Sequence, residues 1–144
     1  MSGIFVGVDG SDHSRLALGW ALREAARHQM PLTVISVHPK PVRPATDIYW
    51  AVPDLPKDPR DEEVELNALR QFVDKVASET GETVPGISLV VATGDPAEEL
   101  INASRDADLL VVGSRGIGGF AKLLLGSVSS KVAHHAASPV VVIR

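Results

Sequence analysis

Short runs of β-branched and other apolar residues alternate with longer helical segments along the whole chain. The runs predict five strands, at Ile4–Val8, Leu32–Val37, Ile87–Ala92, Leu109–Val112 and Pro139–Ile143. Because these strands are apolar on both faces, helices must cover both faces of the sheet, which is typical of a parallel sheet. We therefore predict an α/β, Rossmann-like, doubly wound fold in the order 3-2-1-4-5 common in this class.

The segments between the strands carry helix signals. The predicted helices are residues 12–28, 61–79, 96–104 and 128–136. Asp95 is a predicted N-cap, followed by Pro96 at the first helical position and Glu98 placed for a reciprocal cap. Gly81 is the predicted end of the second helix. At 144 residues the chain fits a single domain over 1–144.

One glycine pattern directly follows the fourth strand. It consists of Gly113, Gly116 and, after nine intervening residues, Gly126 and Ser127. Ser127 is predicted to open the last helix, which runs from Val128. Glycines let the backbone approach a ligand closely, and the first N–H groups of a helix favour an anion. The pattern therefore predicts a phosphate cradle and hence nucleotide binding.

The charge distribution, and the lack of a membrane-spanning or secretory segment in the sequence, limit which kinds of molecule we expect the protein to bind. Residues 109–144 contain no Asp or Glu, whereas the whole chain has a formal charge of -4. This local positive charge suits a small anion rather than nucleic acid. No apolar run approaches the ~20 residues that span a bilayer, no secretory signal is evident and cysteine is absent. We therefore expect a cytoplasmic protein that binds neither a membrane nor nucleic acid.

The second strand is followed by a proline-rich segment at about 39–60. It holds six prolines, at positions 39, 41, 44, 53, 56 and 59. Such a segment cannot be a regular helix or a central strand. Two interpretations are open: a flap over the ligand, or a solvated linker packed on the domain surface.

Several motifs together resemble the universal stress protein family, over the whole chain. They are Val6-Gly7-Val8-Asp9-Gly10-Ser11, Gly94-Asp95-Pro96, the glycine pattern and the ending Ser138-Pro139-Val140-Val141-Val142-Ile143. The glycine pattern is similar to that of the ATP-binding branch. The resemblance implies ATP as the ligand, with a Mg²⁺ requirement left open, a role in stress response and a homodimer.

The resemblance also implies roles for particular residues. Asp9 would face the ribose and phosphates, the backbone around Val37 would meet adenine, and Gly113 to Gly119 with Gly126-Ser127 would cradle the phosphates. The full set of expected nucleotide-binding residues is Gly7, Asp9, Gly10, Ser11, Val37, Val112, Gly113, Ser114, Arg115, Gly116, Gly118, Gly119, Gly126, Ser127, Val128 and Ser129.

Structural alternatives stand beside these roles. Asp9 could instead cap the first helix, as Ser11 or Asp12 also could. Arg115 is the better phosphate candidate among the basic residues, the alternative being a solvated charge. His134 and His135 are adjacent and therefore point to different helix faces, which argues against a shared metal ion.

Two other nucleotide motifs are rejected. Residues 116–121 match G-x-G-x-x-A, but no acid follows about 20 residues later, and no Gly-Lys pair of a P-loop exists. Three functions remain: a nucleotide-responsive regulatory module, a slow ATPase or phosphotransferase, and a scaffold with an empty loop. We expect no catalytic residues, and the sequence names no downstream partner.

The last strand suggests how the chain assembles. Pro139–Ile143 is apolar and forms a sheet edge in the expected order. Native proteins cover or pair such edges. The simplest arrangement is a two-fold contact in which this strand meets its copy.

Overall fold

The computed structural model describes residues 3–39, 59–115 and 126–144. Strands and helices alternate through these ranges. They are β1 (Ile4–Val8), α1 (Asp12–His28), β2 (Leu32–His38), α2 (Pro59–Thr80), β3 (Ile87–Thr93), α3 (Pro96–Ser104), β4 (Leu109–Gly113), α4 (Ser127–His135) and β5 (Val140–Ile143). Residues 40–58 of the proline-rich segment lie outside the described residues, so neither interpretation of that segment is tested.

The strands form one parallel sheet in the order β3-β2-β1-β4-β5. The predicted fold class and strand order are therefore confirmed. Strand β1 pairs with β2 on one side and with β4 on the other, with Ile4 opposite Leu32 and Leu109. The carboxyl ends of β1 and β4 consequently lie side by side where the chain order reverses, which is where doubly wound folds bind ligands.

Two apolar layers hold the sheet between its helices. On one face, α1 packs against β1 and β4 and α2 packs against β3, around buried residues such as Leu18, Leu22 and Val73. On the other face, α3 and α4 pack around Leu100 and Val132. The alternation along β4 matches this division, because Val111 joins the first layer while Leu110 and Val112 join the second. Helices on both faces are thus confirmed.

Local signals explain where most helices begin and end. Asp95 is the N-cap of α3, since its Oδ2 accepts the Glu98 N–H at 3.0 Å, and Pro96 follows at the first helical position. Gly81 follows α2 with φ at +69°, a conformation that glycine adopts without strain. Helix α2 begins at Pro59, two residues before the predicted start, because proline is tolerated in the first helical turn.

A packing contact accounts for Gly7 in the middle of β1. A Cβ atom at this position would lie 2.9 Å from both methyl carbons of Leu100 in α3. Leu100 is itself buried, so it has little room to move. The missing side chain therefore lets α3 pack closely on the sheet.

The two sheet edges differ in length and cover. Strand β3 has seven residues, and Ile87 and Val90 are 41% exposed on it. Strand β5 has four residues, all partly buried.

Among the described helices, none is long and apolar enough to cross a membrane.

Candidate functional site

The candidate site lies at the adjoining carboxyl ends of β1 and β4. Asp9-Gly10-Ser11 follows β1, and Ser114-Arg115 follows β4. Ser11 leads directly into α1, and Gly126 leads directly into α4. The site is therefore bordered by two strand ends and the N-termini of two helices.

The turn after β1 settles which residue caps α1. The N-cap is Ser11, whose Oγ accepts the Ser14 N–H at 3.2 Å. Asp9 Oδ1 instead accepts the Ser11 N–H at 2.9 Å, inside the turn. Gly10 has φ at +83°, which favours glycine. Asp9 is thus a solvent-exposed carboxylate held by a local turn, and the interpretation of Asp9 as the helix cap is wrong.

Ser114 connects the elements of the site through its backbone. Its N–H donates to the Ile143 carbonyl of β5 at 2.7 Å. Its carbonyl oxygen accepts the Gly126 N–H and the Ser129 hydroxyl, the latter at 2.9 Å. Since Ser114 is only 2% exposed, these bonds are shielded from water. They hold the carboxyl end of β4 directly against the first turn of α4.

The first turn of α4 differs from its prediction in one respect. Ser127 was predicted to open the helix, with the helical residues running from Val128 to Ala136. In the structure Gly126 is the N-cap and the helix runs from Ser127 to His135. A Cβ at Gly126 would lie 3.2 Å from the Ser114 carbonyl oxygen, so close contact with β4 favours glycine there.

This N-terminus has no side-chain cap. Gly126 cannot provide one, and the first turn of α4 carries no acidic residue. Within the described residues, its leading N–H groups therefore receive no side-chain cap from the N-cap position and have no intrahelical acceptor, and the helix dipole adds partial positive charge. The backbone of Ser127 and Val128 lies in this first turn, and the Ser127 side chain is exposed. The arrangement can bind an anion.

Ser129 has a structural contact that was not predicted. It was expected to bind nucleotide, but its side chain is 3% exposed. Its hydroxyl has the Ser114 carbonyl at 2.9 Å and the Gly126 carbonyl at 3.1 Å as acceptors. The hydroxyl therefore bonds within the protein, between the end of β4 and the start of α4.

Close packing also explains Gly113. A Cβ there would lie 2.9 Å from the carbonyl carbon of His13 and 3.0 Å from its Cβ. The first turn of α1 thus lies directly on the end of β4. Val112 is 4% exposed, packs in the α3–α4 layer and pairs with Val142 of β5, so its contact with a ligand stays a prediction.

The predicted base-binding segment is at the end of β2. Val37 is partly buried on the α3–α4 face, opposite Ala92 in β3. The carbonyl of the next residue, His38, accepts the Gly94 N–H at 2.9 Å and is therefore already used within the protein. The adenine contact at Val37 stays a prediction.

Some predicted residues lie outside the described part of the chain. These are Gly116, Gly118 and Gly119, in the segment 116–125. Arg115 is the last described residue before that segment and is partly buried. Lys131, another basic residue of this region, lies 3.9 Å from Asp95 of α3 across the exposed surface.

Sequence reasoning missed two polar contacts near this edge. The first joins the Ser114 hydroxyl to His13 Nδ1 at 3.4 Å. The second is a cluster in which His38 Nε2 lies 3.2 Å from Ser36 Oγ and His38 Nδ1 lies 3.9 Å from Glu65 Oε1. His13 follows the N-cap by two residues, so the sequence could show that it lies at the start of the helix. The sequence could not show its contact with Ser114, which is 101 positions away.

Metal ligands are not clustered at the site in the described residues. No group of three or more His, Asp or Glu side chains is placed there to hold a metal ion, counting residues 3–39, 59–115 and 126–144. His134 and His135 have ring centroids 6.4 Å apart, and His134 Nδ1 lies 2.8 Å from the Ser130 carbonyl.

Comparison with known proteins establishes the family. The model of the universal stress protein family matches residues 1–144. This chain belongs to the universal stress protein family. A universal stress protein of Mycolicibacterium smegmatis is 38% identical over 98% of this chain and 47% of its own length. The chain therefore spans about half the length of the mycobacterial relatives it matches.

Solved structures of the family share the fold. Universal stress protein UspA from Lactobacillus plantarum has a TM-score of 0.72 and 27% identity, covering 98% of this chain and 96% of that one. A universal stress protein crystallised in complex with cAMP has a TM-score of 0.69 and 26% identity, covering 98% of this chain and 94% of that one. The doubly wound architecture is thus shared with these relatives.

The role of the Ser129 hydroxyl can be tested by stability measurements. Ser129→Ala removes a buried hydrogen bond, which we expect to cost about 1 kcal/mol of unfolding free energy. Ser127→Ala, two residues earlier at an exposed position, should change it by less than about 0.5 kcal/mol. Urea denaturation followed by circular dichroism measures both. Equal losses would mean that the Ser129–Ser114 bond contributes no specific stability.

Proposed function

We propose that this universal stress protein is a regulatory module that binds an adenine nucleotide, with ATP as its ligand. We propose that binding of the nucleotide changes a protein surface near the segment 116–125, and that a partner protein recognises this surface. The observation that carries the proposal is the convergence of two helix N-termini on Ser114. Helix α1 reaches it through His13, and α4 reaches it through Gly126 and Ser129.

The phosphates are the part of the ligand that this arrangement favours most. The first turn of α4 offers backbone N–H groups with no side-chain cap and no neighbouring carboxylate in that turn. Such a turn suits a phosphate through both hydrogen bonding and the helix dipole. Arg115 follows Ser114 directly, so its guanidinium is our candidate for a charged phosphate contact.

The rest of the nucleotide would extend along the carboxyl edge of the sheet. Asp9 is exposed beside the phosphate region and can accept hydrogen bonds from ribose hydroxyls. The backbone near Val37, one strand further along, would meet the base. The solved relative in complex with cAMP supports an adenine nucleotide as the class of ligand.

Any Mg²⁺ would arrive with the phosphates. Magnesium commonly binds through substrate phosphates, waters and one or two carboxylates rather than through an all-protein cage. Asp9 is the carboxylate that we propose for this role. We propose binding rather than turnover as the function of the site.

Calorimetric titration of the purified protein tests the proposed function. ATP should bind with an affinity about tenfold or more above that of GTP, because guanine would leave polar groups at the base site unpaired. Protein freed of copurified nucleotide by unfolding and refolding should be used, and the released nucleotide should chromatograph with adenine standards. No heat of binding with ATP would contradict the proposal.

Removing the charge of Arg115 tests, in the same calorimetric titration, whether this residue contacts the phosphates. Arg115→Gln should weaken ATP binding by about tenfold, the effect of losing one charge-assisted hydrogen bond, and leave adenosine binding unchanged. Arg105→Gln is the matched control, since Arg105 is an exposed arginine after α3, at the opposite end of β4. An equal effect of both substitutions would remove Arg115 from the site.

We also propose a homodimer formed through the β5 edge. The carbonyl groups of Pro139 and Ile143 accept the N–H groups of Leu110 in β4 and of Ser114 directly after it. Successive residues of a strand direct their N–H and C=O groups to opposite sides. The N–H and C=O groups of Val140 and Val142 therefore point away from β4, to the open side of the sheet edge. Val141 packs against the α1–α2 layer, so a charge there would disturb the core and not only the contact between copies.

Proline substitution at the outward-facing backbone tests this dimer. Val142→Pro removes one outward N–H, and proline is tolerated on edge strands. The wild type should scatter light as a dimer at micromolar concentration, and the variant should dissociate at least tenfold more readily. A wild type that stays monomeric at high micromolar concentration would refute the β5 dimer.

A further inference from the structure

His13 lies at the centre of the candidate site although no sequence motif points to it. It is the second residue of α1, immediately after Asp12. Its backbone lies against Gly113, where even a Cβ atom would approach the His13 carbonyl oxygen to 3.0 Å. Backbone packing therefore fixes the base of the His13 side chain beside the end of β4.

A second contact, at Nδ1, orients the imidazole ring. The Ser114 hydroxyl and His13 Nδ1 are 3.4 Å apart, and Ser114 is 2% exposed. With Nδ1 engaged, Nε2 is the nitrogen available to a ligand, and it makes no hydrogen bond within the described ranges. Histidines that bind metals are oriented in the same way: one ring nitrogen binds the metal, and the other forms a hydrogen bond with a neighbouring group.

The hydroxyl partner suits both charge states of the ring. When the neutral ring carries its hydrogen on Nε2, the Ser114 hydroxyl donates to Nδ1; in the other neutral tautomer Nδ1 donates to the Ser114 oxygen and Nε2 is an acceptor. When the ring is protonated, Nδ1 donates to the Ser114 oxygen and Nε2 also carries a hydrogen. The Ser114 contact is therefore compatible with an Nε2 donor in both the neutral and the protonated ring, and a phosphate acceptor favours those forms.

The charged groups nearest to His13 along the chain and at the adjoining strand end belong to α1 and β4. They are Asp9 and Asp12 on the α1 side, Arg115 after β4, and the positive N-terminus of α1. The first turn of α4 contributes no acidic side chain. A bound phosphate would add up to two negative charges beside the ring and favour the imidazolium.

We infer that His13 donates a hydrogen bond from Nε2 to a phosphate of the bound nucleotide and makes the affinity for that phosphate increase as pH falls. The inference rests on the proposed nucleotide-binding function. It goes beyond that function by assigning a proton-sensitive phosphate contact to a particular side chain. Histidine side chains in general change charge between about pH 5 and 8, so the test below compares two pH values within that range.

The test compares ATP and adenosine affinities of the wild type and His13→Gln at pH 6 and pH 8. Glutamine keeps a neutral donor but cannot take up a proton. The terminal phosphate itself titrates near pH 6, but it does so with both proteins, so the ratio of their affinities isolates His13. His28→Gln is the matched control, because His28 is an exposed histidine at the other end of α1.

We expect wild type to bind ATP about fivefold to tenfold more tightly than His13→Gln at pH 6 and less than twofold more tightly at pH 8. Adenosine should bind both proteins equally at either pH, and His28→Gln should match the wild type. If wild type binds ATP but the ratio is the same at both pH values, the inference about His13 is wrong and nucleotide binding stands. If wild type binds no ATP, the proposed function itself fails, and the inference with it.

A measurement on the wild type covers the case in which the variant does not fold. Long-range ¹H–¹⁵N spectra report the protonation of each imidazole nitrogen directly. At pH 7, adding ATP should increase the protonated fraction of the His13 ring and leave His28 unchanged. An unchanged His13 ring in protein saturated with ATP would overturn the inference.

Discussion

The carbonyl oxygen of Ser114 accepts two hydrogen bonds, and the geometry of the candidate site depends on them. Its donors, the Gly126 N–H and the Ser129 hydroxyl, both belong to the start of α4. These bonds hold the N-terminus of α4 at the end of β4, while Val132 packs the body of the helix on the sheet, and they thereby direct the leading N–H groups of α4. The close contact also explains glycine at position 126, where a larger residue would meet the Ser114 oxygen.

The same residue links this helix to the rest of the sheet. The Ser114 N–H bonds to Ile143 at the end of β5, and its side chain bonds to His13 at the start of α1. One buried serine thus contacts both helix N-termini that border the site. Because the parallel sheet places β1 beside β4, the two helices begin at the same edge, and a ligand bound as we propose would meet both positive helix ends together.

The sequence predicted the fold well because its signals are local. Apolar runs mark the five strands, and capping residues such as Asp95 mark helix ends without reference to distant parts of the chain. The strand order followed from the fold class. The packing roles of two glycines were not predicted: Gly7 lies close to Leu100 and Gly113 lies close to His13, while their contacts with a ligand stay predictions. The Ser129 hydroxyl and the His13 contact depend on residues far away in sequence, which no local pattern reveals.

Amide chemical shifts during a titration with ATP test the central claim most directly. If the convergence on Ser114 forms the phosphate site, saturating ATP should shift the amide signals of Gly10 to His13, Ser114 to Arg115 and Ser127 to Ser129. The amides near Gly86, at the amino end of β3 on the opposite edge of the sheet, should not move. Shifts confined to other regions, or none at saturating ATP, would contradict the account.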